Sequence, residues 1–310
     1  MTAQILSGKE IAEAIKREVA EKVREFEANH AFKPCLAVVR VGEDPASAVY
    51  VGNKVRTSQE LGLVSEHHHL SADISHADLL RLVTNLNNRP EVDGILVQLP
   101  LPPQIDEREI LESINPEKDV DGFHPINVGR LAQGQKSLAP CTPAGVIEIL
   151  KRSDINIAGA HAVVVGRSNI VGKPMAALLL QENATVTICH SRTRNLPEIT
   201  RQADILVAAI GRAGFIRGEY IKEGATVIDV GMNNVSDAAQ ARELFDESEI
   251  EKRLNTIEKR GFTLVGDVNP KEARAGAGKF TPVPGGVGLM TIAMLMRNTV
   301  DAAKMRRGIG

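Results

Sequence analysis

Apolar residues at Ile11, Ile15, Val19, Val23 and Phe26 recur every three or four positions, and this spacing predicts one stripe of a helix over Lys9 to Asn29. The pattern then changes: Leu36 to Val41 reads as a buried strand, and Gly42-Glu43-Asp44-Pro45 as the turn that ends it. Helical patterning returns over Ala46 to Gly62 and over Ser75 to Asn88. A second apolar run, Gly94 to Val97, leads into Gln98-Leu99-Pro100-Leu101-Pro102-Pro103. The amide of Gln98 interrupts a run that should be buried, which requires that it be hydrogen-bonded or face a cavity. Thr142-Pro143 reads as a cap followed by proline at the first helical position, opening a helix over Val146 to Lys151. Strands are then predicted at Ala162 to Val165, Ala184 to His190, Asp204 to Ile210 and Ala225 to Val230, with helical segments between them. This alternation belongs to an α/β fold with a doubly wound parallel sheet. Leu289 to Met305 closes the chain as a helix whose methionines read as core packing.

The turn after the first of those four strands carries the strongest chemical signal. It runs Gly166-Arg167-Ser168-Asn169-Ile170-Val171-Gly172-Lys173-Pro174 before an Ala/Leu-rich helix. A strand, a glycine turn and a helix start in one unit aim backbone N–H groups and the positive end of the helix dipole at one point, which suits a phosphate. An NAD site places an acid roughly 20 residues past that turn to hold the ribose hydroxyls. Residues 187–194 hold no acid but do hold Ser191, Arg192 and Arg194, so the local charge favours NADP. The alternative is that these arginines are merely solvated, as exposed arginines commonly are. Ligands of such sheets lie beyond the carboxyl ends of the strands, and each strand end here carries a small or polar residue, Gly211 after the third and Gly231 after the fourth.

At 310 residues, 43% hydrophobic and 25% charged, the chain is long enough for two domains with cores of their own. A formal net charge of -2 gives no general attraction to nucleic acid or to an anionic membrane. No apolar run is long enough to span a bilayer and Met1-Thr2-Ala3-Gln4 lacks the character of a signal peptide, so the expected location is cytoplasmic. Cys35, Cys141 and Cys189 are odd in number and far apart, which argues against disulfides and zinc. His67, His68 and His69 stand consecutively in an expected strand, where alternate side chains face opposite ways, so no metal site is expected.

Tyr50 and Lys54 lie four residues apart on one helical face, and Asp119 and Asp121 flank Val120 in a turn-rich stretch. With these residues the chain resembles the bifunctional methylenetetrahydrofolate dehydrogenase/methenyltetrahydrofolate cyclohydrolase family. The resemblance is carried by Ser47-x-x-Tyr50-Val51-x-x-Lys54, by Gln98-Leu99-Pro100-Leu101-Pro102, and by Asp119-Val120-Asp121-Gly122-Phe123-His124-Pro125. It continues through Pro140-Cys141-Thr142-Pro143, Gly166-Arg167-Ser168-x-Ile170-Val171-Gly172-x-Pro174 and Pro284-Gly285-Gly286-Val287-Gly288, in order over nearly the full length.

The resemblance implies NADP-dependent oxidation of 5,10-methylenetetrahydrofolate to the methenyl form, then hydrolysis to 10-formyltetrahydrofolate in the same active site. It implies Lys54 as the proton-shuttling amine, Gln98 holding Lys54, Tyr50 stacking on the folate and Asp121 bonding the pterin. Ser47, Val51, Leu99, Pro100, Pro284, Gly285, Gly286 and Val287 would complete the folate site, and Gly166, Arg167, Ser168, Ser191, Arg192, Gly211, Gly231 and Met232 the cofactor site. The implied architecture is a folate-binding domain at 1–140, completed by the helix at 287–310, and a Rossmann-like NADP-binding domain at 141–286, with a cleft between them and homodimerisation. Three departures stand out: Leu289 where the family has proline, Asn269 where it has an acid, and a charged extra segment at about 235–261, read as a solvated helix or an oligomer contact. Two other readings are a catalytically weak NADP-binding relative and a small-acid dehydrogenase with a layout like that of shikimate dehydrogenase.

Overall fold

Strand β1 (Gln4–Ile5) and helix α1 (Gly8–His30) open the chain, followed by β2 (Cys35–Val41), α2 (Pro45–Glu60), β3 (Val64–Leu70), α3 (His76–Asn88), β4 (Gly94–Val97), α4 (Glu107–Ser113) and α5 (Pro125–Ala132). Next come α6 (Cys141–Arg152), β5 (His161–Val165), α7 (Gly172–Gln181), β6 (Thr185–Cys189), α8 (Leu196–Thr200), β7 (Ile205–Ala208) and β8 (Thr226–Asp229). The last are β9 (Asn233–Val235), α9 (Ala238–Leu244), α10 (Glu247–Arg260), β10 (Thr263–Val265), α11 (Pro270–Gly276), β11 (Lys279–Phe280) and α12 (Val287–Arg307). The structure, a computed structural model, describes residues 2–309. The chain forms two units, Ala12–Cys141 with Ile292–Gly310, and Met1–Ile11 with Thr142–Thr291.

In the first unit β2 lies between β3 and β4, all parallel, and its seven residues are all buried. Burial on both faces explains why β2 reads as a continuous apolar run instead of an alternating one. Beneath it, Leu79, Val83 and Leu86 of α3 and Ile110 of α4 pack on Val39, Ile95 and Val97. The buried stripe of α1 is Ala12, Ile15, Val19, Val23 and Phe26, so Ala12 takes the first place of the stripe that the sequence assigned to Ile11. On the exposed strand β3, His67 and His69 stack on one face with ring centroids 6.1 Å apart. His68 instead meets the Glu66 carboxylate at 3.4 Å.

The second unit is built on a six-stranded sheet in the order β1-β11-β8-β7-β5-β6, parallel throughout. Val163, Val165, Leu206, Ala208 and Val227 fill its core from the strands. Residues 2–11 group with this sheet, where β1 pairs with β11. A two-residue strand carries too little periodicity to announce its partner. The helix expected between β7 and β8 is a single 3-10 turn at Gly218–Tyr220, in a stretch punctuated by Gly211, Gly214, Gly218 and Gly224. Helix α6 starts at Cys141, so Thr142 lies inside it and bonds Thr291 Oγ1 at 2.9 Å instead of capping the helix. Pro143 is tolerated there because first-turn N–H groups have no intrahelical partner to lose.

The extra segment is a small lobe. β9 and β10 pair antiparallel, and α9 and α10 pack Ala241, Leu244, Phe245, Ile250, Leu254 and Ile257 against Val235 and Val265.

Candidate active site

Asp44 caps α2 by accepting the Ser47 N–H at 2.7 Å. From that start the helix carries Tyr50, Val51 and Lys54 on successive turns. Lys54 is only 4% exposed, Val51 1%. Strand β4 ends at Val97, so Gln98 stands just past it, with its N–H still donated to the Val39 carbonyl at 2.8 Å. The Gln98 side chain is satisfied at both ends: Nε2 donates to the Leu99 carbonyl at 2.7 Å, and Oε1 accepts from Lys54 Nζ at 3.0 Å. Lys54 Nζ also sits 4.7 Å from the centre of the Tyr50 ring.

The two carboxylates of the turn-rich stretch have different jobs. Asp119 is buried and faces inward, accepting N–H groups from Gly122 (3.1 Å) and His124 (2.8 Å) and the side-chain amide of Asn127 (2.9 Å). It shapes the loop that presents Asp121. Gly122 makes this tight, for a Cβ there would lie 2.6 Å from Pro140 N. From α12, Asn298 Nδ2 donates to the carbonyls of Val120 (2.8 Å) and Ala139 (2.9 Å), fixing the residue before Asp121. The sequence reading took α12 as apolar packing and missed Asn298, although an amide in a helix of buried Met, Leu and Ala was the available signal.

Charges in this cluster shift one another. Burial pushes the Lys54 ammonium below its ordinary 10.5, with the Asp121 carboxylate opposing. Burial likewise pushes the Asp121 carboxyl up to about 6, with Lys54 pulling the other way. The Cys141 thiol beside them is raised well above 9.0 by burial and then by Asp121, so it is no nucleophile at neutral pH. It packs against the Val120 carbonyl at 3.3 Å.

In the other unit, parallel pairing brings the carboxyl ends of all six strands to one edge. There lie Gly166, Arg167 and Ser168 after β5, Ser191 and Arg192 after β6, Gly211 after β7, Gly231 and Met232 after β8, and Pro284 to Val287 after β11. Gly166 has φ +137, and a Cβ on it would lie 2.1 Å from the Ala209 carbonyl oxygen. A Cβ on Gly172 would lie 2.3 Å from the Gly166 carbonyl oxygen. Close backbone approach of this kind is what a strand-turn-helix phosphate site needs. Ser168 Oγ accepts the N–H groups of Val171 (3.1 Å) and Gly172 (3.2 Å), folding the turn onto the start of α7. Arg167, Ser168, Ser191 and Arg192 are exposed around it. The chemistry of this set fits a dinucleotide with an extra phosphate.

Residues 6–121 match the family model for the tetrahydrofolate dehydrogenase/cyclohydrolase catalytic domain, and residues 140–307 match the model for the NAD(P)-binding domain of the same family. The chain belongs to the tetrahydrofolate dehydrogenase/cyclohydrolase family. Among its relatives, the bifunctional protein FolD of Koribacter versatilis is 57% identical over 308 residues, covering 99% of each chain. The bifunctional FolD structure from Campylobacter jejuni aligns with a TM-score of 0.88 at 43% identity, over 98% of this chain and 99% of that one. The Trypanosoma brucei FolD, solved with NADP and an inhibitor, aligns with a TM-score of 0.87 at 38% identity, over 98% of both chains.

Within this family the chain's departures have physical readings. Leu289 does not disturb the last helix, which starts at Val287, and its N–H is donated to the Gly286 carbonyl at 3.3 Å. Asn269 caps α11, its side chain accepting the Glu272 N–H at 3.2 Å. Two acids at the carboxyl edge had been given no role. Asp229, which closes the apolar strand β8, is raised to about 8 by burial, against the pull of three backbone amides. Asp267, also buried, accepts the N–H groups of Ile210, Gly211 and Arg212. An acid ending an apolar strand and an acid after Gly266 were the signals in the sequence.

Proposed function

We propose that this protein oxidises 5,10-methylenetetrahydrofolate to 5,10-methenyltetrahydrofolate with NADP+ and then hydrolyses the product to 10-formyltetrahydrofolate. The single observation that carries the assignment of residues is the buried Lys54, bonded to Gln98 and charge-coupled to Asp121. NADP+, when bound, supplies the acceptor for the hydride that leaves the one-carbon bridge. The carbon left behind is a cation, so a charged ammonium beside it would be repelled, and burial already favours the neutral amine. Neutral Lys54 gives one N–H to Gln98 Oε1 and keeps its lone pair for the proton of the water that adds to the methenyl carbon. Lys54 then passes that proton to the folate nitrogen as its bond to the carbon breaks, and the hydroxyl on the carbon releases its own proton to water as the formyl C=O forms on the other nitrogen. Arginine could not do this, since it does not deprotonate. Tyr50 offers an aromatic face to the folate, and the ionised Asp121 accepts N–H groups of the pterin. Ser47, Val51, Leu99 and Pro100 line the folate site in their own unit.

The cofactor is held by the Gly166-Arg167-Ser168 turn, by Ser191 and Arg192 around the extra phosphate, and by Gly211, Gly231 and Met232. A homodimer is supported by the position of β3, which pairs only with β2 and leaves its outer edge open among the described residues. No described helix is long and apolar enough to cross a membrane.

The test is to give purified protein methylenetetrahydrofolate with NADP+ or NAD+, following reduced cofactor and the methenyl compound separately. NADP+ should support reduction and NAD+ should be the poorer acceptor, with no methenyl compound accumulating. In Lys54→Met, hydrolysis of supplied methenyltetrahydrofolate should fall by about 100-fold or more, the usual share of a general acid–base group, while the circular dichroism spectrum is retained. Normal hydrolysis in that folded variant removes Lys54 from the role.

A further inference from the structure

Asp267 and Asp229 have no part in the chemistry above, yet both are buried where β7 and β8 end, bonded to backbone of the cofactor edge. Asp267 accepts N–H groups from three consecutive residues, Ile210, Gly211 at 2.9 Å and Arg212 at 2.9 Å, and the side-chain amide of Asn233 at 2.9 Å. Asp229 lies behind it and accepts N–H groups from Gly231 (3.0 Å), Asp267 (2.8 Å) and Val268 (3.0 Å). Both contacts need glycine: a Cβ on Gly231 would lie 2.3 Å from Asp267 Oδ1, and one on Gly266 1.8 Å from Asp229 Oδ2.

Three successive backbone N–H groups converging on one point make a concavity of the kind that binds phosphate. Here the chain fills it with its own carboxylate, so those amides cannot donate to a ligand and the charge opposes a phosphate. The strand order β8-β7-β5-β6 turns back at the β7–β5 boundary. A dinucleotide crossing such a boundary lays its adenosine half over β6 and its nicotinamide half over β7 and β8. The adenosine half therefore meets Ser191 and Arg192, and the other half meets the turns that Asp267 shapes.

We propose that Asp267, supported by Asp229, is a positioning residue for the nicotinamide half of NADP: it holds the turns at 210–212 and 231–233 in their receiving shape and keeps phosphate away from the ends of β7 and β8. This rests on the reading of that sheet edge as the NADP site.

Calorimetric titration of wild type and Asp267→Asn with NADP+ and with adenosine 2′,5′-bisphosphate tests it, together with amide hydrogen exchange on the ligand-free protein. Asparagine keeps the shape but turns an NH2 group against the converging amides. The Kd for NADP+ should rise about tenfold, the factor carried by one misplaced charge-assisted hydrogen bond. Affinity for the bisphosphate, which lacks the nicotinamide half, should stay within about twofold. Exchange should quicken at 210–212 and stay unchanged at 168–173. Equal weakening of both ligands points to general loss of structure and overturns the proposal, as does unchanged NADP+ affinity. Should Asp267→Asn fail to fold, Asn233→Ala removes one of the four donors to Asp267 and is read by the same split: selective loss of NADP+ affinity supports the proposal, and its absence overturns it. Wild type that binds neither ligand overturns the NADP reading itself, and the proposal with it.

Discussion

Asp121 and Asp119 are separated by one residue and share a loop, yet one is ready to meet a ligand and the other is consumed by the fold. The difference lies in their partners. Asp119 accepts three hydrogen bonds from its own loop, whereas the principal charge neighbour of Asp121 is Lys54. Spacing in the sequence does not separate them; the direction of each carboxylate does. The raised Asp121 carboxyl, at about 6 against an ordinary 3.8, gives a pH signature. Above about 6 it is ionised and accepts pterin N–H groups; below, it is protonated and that acceptor is lost. The Michaelis constant for the folate substrate should therefore rise as pH falls through about 6, and the limb should vanish in Asp121→Asn. The sign for stability is opposite to that of a salt-bridged acid. Because the folded carboxyl holds its proton more tightly than the unfolded one, its contribution to stability falls as pH rises from 3.8 to about 6. An unchanged Michaelis constant across that range would remove Asp121 from the pterin.

Helices and strands were legible where the hydrophobic period is long, and less so where a polar residue does the structural work. Helix α3 could be read from Leu79, Val83 and Leu86 and from its cap Ser75, whose side chain accepts the Asp78 N–H at 3.1 Å. Its carboxyl end could not. There the buried Lys118 ammonium takes the carbonyls of Leu86 (3.0 Å), Asn87 (2.8 Å) and Arg89 (2.6 Å). Burial lowers this ammonium to about 8. A lysine in a turn-rich stretch gives no hint that it closes a helix 30-odd residues earlier in the chain. Lys118→Met should cost about 1–3 kcal/mol in urea unfolding, since three buried carbonyls lose their donor. A variant as stable as wild type would mean that water replaces the ammonium. The lobe at β9–β10 was likewise half read: the charge of α10 was visible, but its apolar row of Ile250, Leu254 and Ile257 needed Phe245 and Val235 beside it to count as a core.

Over the whole molecule, the ends of the chain are drawn into structures begun far away. β1 becomes an edge of the six-stranded sheet, and the last turn of α12 brings Arg306 and Arg307 to the fully buried Asp93. Asp93 in turn accepts the Cys35 N–H at 3.0 Å at the start of β2. Removing residues 306–310 should cost about 3–5 kcal/mol, the penalty of a buried carboxylate stripped of its partners. The same truncation in an Asp93→Asn background should cost far less, because no charge is then stranded; equal losses in both backgrounds would assign the effect to helix length. What the order of residues settled was local: the periods that make each helix and strand, the glycine turn after β5, the lack of an acid at 187–194, and the family's motifs. Such features depend on neighbours a few positions apart, so a linear reading reaches them. Folding alone decided which other polar groups face each other: Asn298 with Val120, Asp267 with the turn after β7. Those pairings join residues dozens to more than a hundred positions apart, and burial, which pushes the Lys54 ammonium below its ordinary value, exists only once the distant segments have closed over it.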